Sequence, residues 1–544
     1  MHGTRRDAII IGAGHNGLIA AAYLAQAGHE VEVLERDEIP GGAVSTVERF
    51  PGHRIDRGSS AHLMIRHSPV LDDLDLGAHG LRYVDCDPWA FVPATASAPA
   101  IVFRTDLDAT CASIENACGT ADAESYRRFV ATWTPRASSV MDAFYQPATM
   151  GRFGRAFGGL GHTASTARTG FFGQRSGRVA NLTAELMSSG DSLLDGYFRS
   201  EQLKAGLAWF GAQSGPPMSA PGTAPMIGFA ALMHRIPPGR AIGGSGALTE
   251  ALVRRIGHDG GRITCADPAV SVARCGDHWQ VRTASGELRC AATVINACHI
   301  LTTLDMLAAG GFDAGAIDAW RRTIVVGNGI GMAVRLGTTA LPDYQGLPAD
   351  LPAHGVHSAL GLLVTDRAQL ATAYGSASAG LLPPRPAVVA MSYSAIDPTL
   401  APPGRSVINL WAQWHPYRLA EGAWSTAGAR AAQAVCDEVD RYAPGFAASI
   451  DHRYVQTPQD LADELGLIGG NIMHVEMSID QMFMWRPTPD LSGHRVPGAD
   501  GLLLAGASTH PGGGVTGASG YIAAHMALKR QARARRRRSP FGRS

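Results

Sequence analysis

The 544-residue chain carries 47 basic and 47 acidic side chains, so its formal net charge is zero and nothing global points to nucleic acid or to an acidic ligand. The length suggests roughly two to four structural units with room for a large core. Cysteines at 86, 111, 118, 265, 275, 290, 298 and 436 form neither a CxxC pair nor a zinc-spaced cluster, which fits a reduced, cytoplasmic protein without a metal.

The first elements lie in "DAIIIGAGHNGLIAAAYLAQAGHEVEVLE". Its pattern predicts an apolar strand over Ala8 to Ile11, a glycine turn, an alanine-rich helix, a break at Gly28 and a second strand over Val31 to Leu34. Gly12, Gly14 and Gly17 stand in GxGxxG spacing. The first allows a tight turn, the second lets backbone approach a pyrophosphate, and the third lets helix pack on strand. The free N–H groups and positive dipole end of the helix then face an anion. Glu35, 18 residues after Gly17, is placed to accept hydrogen bonds from a ribose diol. Asn16 and Arg36 beside these positions join the candidate cofactor set, as do Gly41 and Gly42 just downstream. The glycine spacing also argues against reading "TRRDAIIIG" as a twin-arginine export signal.

Residues 76–238 mix helical patterns such as "DAESYRRFVATW" and "SEQLKAGLAWFG" with a glycine-rich basic stretch at 150–179. A solvated loop is expected there, with a lid or a membrane-surface contact as the alternative. From 240 the chain predicts a helix over Leu248 to Ile256, then short strands in "GRIT", "AVSVA", "HWQVRT", "ELRC" and "TVINA". "VVGNGIGMAVRL" continues as an alternating strand instead of opening a helix, so it is not a second nucleotide site. Strands follow in "PAVVAMSYS" and "RSVINLWAQWH". Trp485 and Arg486 are candidate cavity residues, against the simpler picture of a packed aromatic beside a surface arginine. Near the end, "GLLLAGASTHPGGGVTGASGYIAA" predicts a strand, a glycine turn and a helix. Gly513 and Gly514 would let backbone lie against a flat ring, and helix N–H groups near Val515 to Ser519 would face it. The basic run "KRQARARRRRSP" is expected to be a solvated tail.

Together these motifs resemble the phytoene-desaturase-like flavoproteins, and more closely the branch named for pyridine nucleotide-disulfide oxidoreductase domain-containing protein 2. "HRIDRGSSAH", "GGSGALTEAL" and "GGNIMHVEMSIDQMFMWRP" carry the likeness through the middle of the chain. The resemblance implies an α/β fold: a Rossmann-like FAD-binding domain of the glutathione-reductase type built from discontinuous segments, plus a mixed sheet and helix substrate domain of amine-oxidase or phytoene-desaturase architecture. The FAD segments would be 1–75, 239–312 and 491–530. The helical or lid part would be 76–238, the substrate-domain sheet 313–490, and a disordered basic tail 531–544.

By the same resemblance FAD would be held by Gly12, Gly14, Gly17, Glu35, Gly41, Gly42, Gly506, Gly513, Gly514 and Val515, with Val270 near the adenine. The implied activity is hydride transfer from a substrate carbon to flavin N5. It would desaturate a C–C or C–N bond of a lipophilic or secondary-metabolite substrate, with oxygen or a quinone as electron acceptor. His510, His474 and His62 are candidate proton acceptors, since imidazole titrates near working pH. Related amine oxidases hold a water at flavin N5 with a lysine, but Lys204 and Lys529 are the only lysines here and neither is well placed, which disfavours a simple amine oxidase. The expected location is cytoplasmic, with a peripheral membrane contact allowed. Two alternatives stay open: a flavin-dependent polyene isomerase, and a non-catalytic scaffold like the GDP-dissociation inhibitors. The intact set Gly12, Gly14, Gly17 and Glu35 argues against the second.

Overall fold

The apolar run Ala8–Ile11 is buried on both sides, as a strand inside a parallel sheet must be. The structure, a computed structural model describing residues 5–148 and 184–538, makes this run the end of β1 (Arg5–Ile11). Helix α1 (His15–Gln26) and β2 (Val31–Leu34) follow. The chain then leaves this sheet and returns as α2 (Gly246–His258), β3 (Arg262–Thr264), β4 (Ala269–Cys275), β5 (His278–Thr283) and β6 (Leu288–Asn296). After a second excursion it closes with β7 (Leu502–Leu504) and α3 (Ala518–Arg538).

The strand order is β4-β5-β6-β1-β2-β3, with β7 against β6. β3, β2, β1, β6 and β7 are parallel, and the registers Leu34↔Thr264, Ile11↔Leu34, Ile11↔Asn296 and Asn296↔Leu504 bring their carboxyl ends to one edge. Ligands of doubly wound sheets bind at such an edge. Alanine dominates α1 because its residues Leu18 to Ala25 are buried where it packs against α2 and α3. The contact with α3 is backbone on backbone: a Cβ at Gly520 would lie 2.1 Å from the Asn16 carbonyl oxygen.

Two local expectations change. "ELRC" and "TVINA" are one strand, β6, bordered by antiparallel β5 along its first half and by parallel β7 along its second. The tail expected from 531 instead continues α3 to Arg538, because its arginines and alanines are good helix formers that propagate a helix already nucleated by docking.

The second sheet runs Ile450–Gln456, Gly331–Thr338, Ser406–Gln413, Ala387–Met391, Leu360–Leu363, Ala90–Val92 and Ile101–Phe103. Its last two strands come from the stretch expected to be helical; at three residues each they are too short to show alternation in the sequence. Side chains do alternate across the sheet. Phe91 and Val102 join a core beneath the helix Trp424–Tyr442, whereas Val92, Ile101 and Phe103 join one with the helices Thr120–Phe144 and Glu201–Ala212. The 150–179 stretch lies outside the described residues. No helix among the described residues is long and apolar enough to cross a membrane.

Candidate functional site

Three glycines at the end of β1 are required for three different reasons. Gly12 holds φ +93° while its N–H donates to the Leu34 carbonyl at 2.8 Å. A Cβ at Gly17 would fall 2.0 Å from the Gly12 carbonyl oxygen, so the helix can start there only without a side chain. Gly14 has nothing within 4 Å of its missing Cβ, which leaves bare backbone at the N-terminus of α1. That open approach, backed by a helix dipole, fits a pyrophosphate.

The surrounding residues brace this turn. Gly41 donates its N–H to the Ala13 carbonyl at 2.8 Å, and a Cβ at Gly42 would meet only the Gly14 Cα, at 3.8 Å. The buried Glu35 carboxylate accepts the N–H of Ala13 at 2.6 Å and that of Asp37 at 3.0 Å, which leaves lone pairs on both oxygens for a ribose diol. Asn16 accepts the Gly520 N–H at 3.4 Å and so fastens α1 to α3. Arg36 reaches the Glu464 carbonyl at 3.4 Å and pairs with Asp37. Val270 sits at a register shift in β4 with its side chain 40% exposed. The strand starts just beyond Asp267, whose N–H donates to the Glu35 carbonyl at 3.1 Å.

The loop after β7 separates what the sequence treated alike. Gly506 crosses backbone closely: its Cβ would lie 2.4 Å from the Cys298 carbonyl oxygen. Gly513 faces the protein itself, since a Cβ there would be 2.5 Å from the Met473 sulfur and 3.1 Å from the Met473 Cα. Gly514, at φ +89°, has open space within 4 Å. Val515 follows with φ +51°, a β-branched residue in the left-handed region, which costs about 1–3 kcal/mol and is held by its surroundings. Room for a flat ring therefore exists at Gly514, whereas at Gly513 the glycine is demanded by Met473.

The three candidate histidines differ in their hydrogen bonding. His62 is buried with both ring nitrogens engaged, Nδ1 with the Tyr83 hydroxyl at 2.6 Å and Nε2 with the Ser245 hydroxyl at 3.0 Å, which suits a bracing role. His474 stacks on His299 at 5.1 Å and meets the Ser508 hydroxyl at 3.2 Å. His510 donates Nε2–H to the Ala143 carbonyl at 3.3 Å, so Nδ1 carries a lone pair; among the described residues that buried atom has no partner. Phe144 and Phe483 wall it in, with ring centres 6.0 and 6.1 Å away.

Burial pushes the imidazoles of His62 and His510 down to about 3 and that of His299 to about 4. Each is neutral when folded and charges below pH 6.5 when unfolded, so the stability it contributes is full above pH 6.5 and lost as pH falls toward the folded value. Melting curves between pH 7.5 and 5 are expected to show stability falling by up to about 1.4 kcal/mol per pH unit for each of them. A flat profile over that range would contradict the assignment.

The family model of the NAD(P)-binding Rossmann-like domain matches residues 10–75, a span that includes the end of β1, α1, β2 and the diglycine loop. Over 96% of its length the chain is 32% identical to pyridine nucleotide-disulfide oxidoreductase domain-containing protein 2 of Rattus norvegicus, covering 93% of that protein. The chain belongs to this family. It is also 26% identical to a phytoene dehydrogenase of Streptomyces griseus, over 93% of this chain and 92% of that one. In fold it is similar to an oxidoreductase from Methanosarcina mazei (TM-score 0.62, 15% identity, 97% and 100% of the two chains) and to putrescine oxidase (0.62, 12%, 97% and 99%). With the dinucleotide cradle, these findings make this member of the family a FAD-type oxidoreductase.

Two features of this family member were not drawn from the sequence. Asp56 and Arg240 form a buried ion pair; Asp56 also accepts the Ser245 N–H at 2.9 Å, and Arg240 donates to the Ser60 carbonyl at 2.8 Å. A lone acid in "HRIDRGSSAH" and a lone arginine in "PPGRAIGG" were the available signal. The second is the carbonyl cage of Arg486, a residue named from the sequence only as a candidate cavity residue; the alternative of a packed aromatic beside a surface arginine is reversed, with Trp485 38% exposed and Arg486 0%. Its guanidinium donates to the carbonyls of Glu476 (2.9 Å), Gln481 (3.1 Å), Met473 (2.6 Å), Val475 (3.4 Å) and Ala507 (3.0 Å). Lys204 pairs with Asp195 at 2.8 Å in the helical unit and Lys529 lies on α3, so neither joins these loops.

Proposed function

We propose that the protein introduces a double bond into an apolar organic substrate by removing a hydride from one carbon and a proton from the adjacent carbon or nitrogen. Bound FAD supplies the hydride acceptor, with oxygen or a quinone taking the electrons onward. In this reading Gly12, Gly14 and the end of α1 hold the pyrophosphate, Glu35 the ribose, and the loop with Gly41 and Gly42 closes over them. Gly514 and Val515 lie against the ring, and the exposed side of Val270 is offered to the adenine.

The observation that carries the reading is the state of His510. Its neutral ring presents a free Nδ1 lone pair inside an aromatic enclosure that Phe229 extends, 6.0 Å from Phe144. Such a weak base takes a proton only from an atom already made acidic by the departing hydride, which couples proton loss to hydride loss. The aromatic walls exclude water and favour a lipophilic substrate, in keeping with the relative named phytoene dehydrogenase. The absence of a lysine at these loops weighs against amine oxidation assisted by a lysine-held water.

The visible spectrum of the purified protein, followed by anaerobic titration with apolar candidate substrates, tests this. Flavin absorbance that bleaches with one compound is expected. A colourless protein that takes up no added FAD would sink the reading, and bleaching only by an external reductant followed by double-bond isomerisation would replace it with the polyene isomerase. His510→Ala is expected to lower kcat/KM about 10²–10⁴-fold with flavin content unchanged. Wild-type turnover in that variant would remove His510 from the chemistry.

A further inference from the structure

Arg486 is a buried cation that makes its hydrogen bonds to five backbone carbonyls. Burial lowers its guanidinium to about 9, which still leaves it charged at neutral pH. Carbonyl dipoles offset part of the desolvation, but a lone buried charge remains costly without an ion pair. Its Nε has no hydrogen-bond partner among the described residues. The group lies against the loop that follows β7: it donates to the Ala507 carbonyl, and a Cβ at Gly512 would come within 3.3 Å of its Cζ and 3.4 Å of its Nε.

The histidines around it add no second positive charge. His299, His474 and His510 are neutral, held down by burial first and by the charge of Arg486 in addition. Glu476 is the carboxylate whose charge reaches Arg486; burial raises its own pKa and the arginine works against that rise.

We propose that Arg486 is a positioning residue for charge, a fixed cation behind the 507–513 loop that raises the reduction potential of the bound flavin. The inference rests on the FAD reading above. A hydride added to a neutral ring brings one negative charge with it, and a preorganised cation in a low-dielectric interior stabilises that charge without reorganising. Five carbonyl bonds keep the guanidinium in place whether or not the extra charge is present. The residue thus acts on the electron-transfer equilibrium and not on the proton.

Wild type, Arg486→Lys and Arg486→Met, each loaded with FAD, can be compared by flavin content and by dye-equilibrated anaerobic redox titration at pH 8. In Arg486→Met the reduction equilibrium constant is expected to fall at least tenfold, about 30 mV for a two-electron couple. Arg486→Lys is expected to fall between wild type and Arg486→Met, because the burial that lowers the guanidinium acts on an ammonium that starts from a lower pKa. Because methionine leaves five carbonyls unbonded and can disrupt folding, Glu476→Gln at a half-buried position provides an independent reading; losing that negative charge is expected to raise the constant at least twofold. A flavin-loaded Arg486→Met with the wild-type potential, or a Glu476→Gln with no shift, overturns the proposal. Wild-type protein that takes up no FAD overturns the cofactor reading itself.

Discussion

Arg240→Leu is expected to lose about 3–5 kcal/mol of folding stability. Asp56 and Arg240 are both buried, and deleting the arginine leaves an enclosed carboxylate without its ion-pair partner. Burial alone would raise the Asp56 pKa, but the charge and hydrogen bond of Arg240, with bonds from Thr46 and the Ser245 N–H, hold it below the ordinary range. The sign for acid follows. The stabilisation is complete above the unfolded value of 3.8 and is lost as pH falls through the depressed folded one. The knot also spans units: Arg240 lies over the Tyr393 ring at 5.4 Å, and Asp397 accepts the Gly243 N–H at 2.8 Å. Urea unfolding of wild type and Arg240→Leu checks the magnitude, and a loss under about 1 kcal/mol would show that the pair is dispensable.

Gly14→Ala and Gly17→Ala are expected to fail in different ways. Gly14 has φ −66° and ψ 164°, which alanine adopts freely, and nothing lies within 4 Å of the added methyl. The variant should fold like wild type, yet bind FAD about 100-fold more weakly, some 2.7 kcal/mol, because the methyl stands where backbone must meet the pyrophosphate. At Gly17 the methyl would press on the Gly12 carbonyl at 2.0 Å, so the turn must open. Flavin binding and about 2–4 kcal/mol of stability should be lost together. Melts of the flavin-free proteins combined with FAD titrations separate the two cases. Wild-type FAD affinity in Gly14→Ala would mean the open space beside it is not the phosphate approach.

The nucleotide unit was legible in the sequence where local chemistry and long-range fold agree. The strand over Val31 to Leu34 was placed without error, and the helix over Leu248 to Ile256 within two residues at each end, because periodicity and glycine spacing are local signals. The second sheet was less so, since two of its strands are three residues long and the pair joins the sheet through Ala90–Val92, whose partner strand lies more than two hundred residues away. Gly513 and Gly514 read identically as letters. Only the neighbours, Met473 at one and open space at the other, tell them apart. The same holds for the histidines, whose roles depend on which nitrogen finds a partner. Arg486 was legible only as a candidate cavity residue: its cage of carbonyls comes from residues 473 to 507, and no local pattern announces that an arginine beside a tryptophan and a proline will be held by them.

The contact between α1 and α3 has a consequence for how the protein is made. Asn16 and Gly520, bonded through side chain and backbone, are 504 positions apart, and β1 waits for β6 just as β6 waits for β7. During synthesis the side of α1 that faces α3 stays uncovered until the last segment is made, whereas the side that faces α2 can be covered about midway. Such non-local pairing folds slowly and leaves apolar surface uncovered meanwhile. The nucleotide cradle, built from both ends of the sequence, is complete only when the last segment has docked.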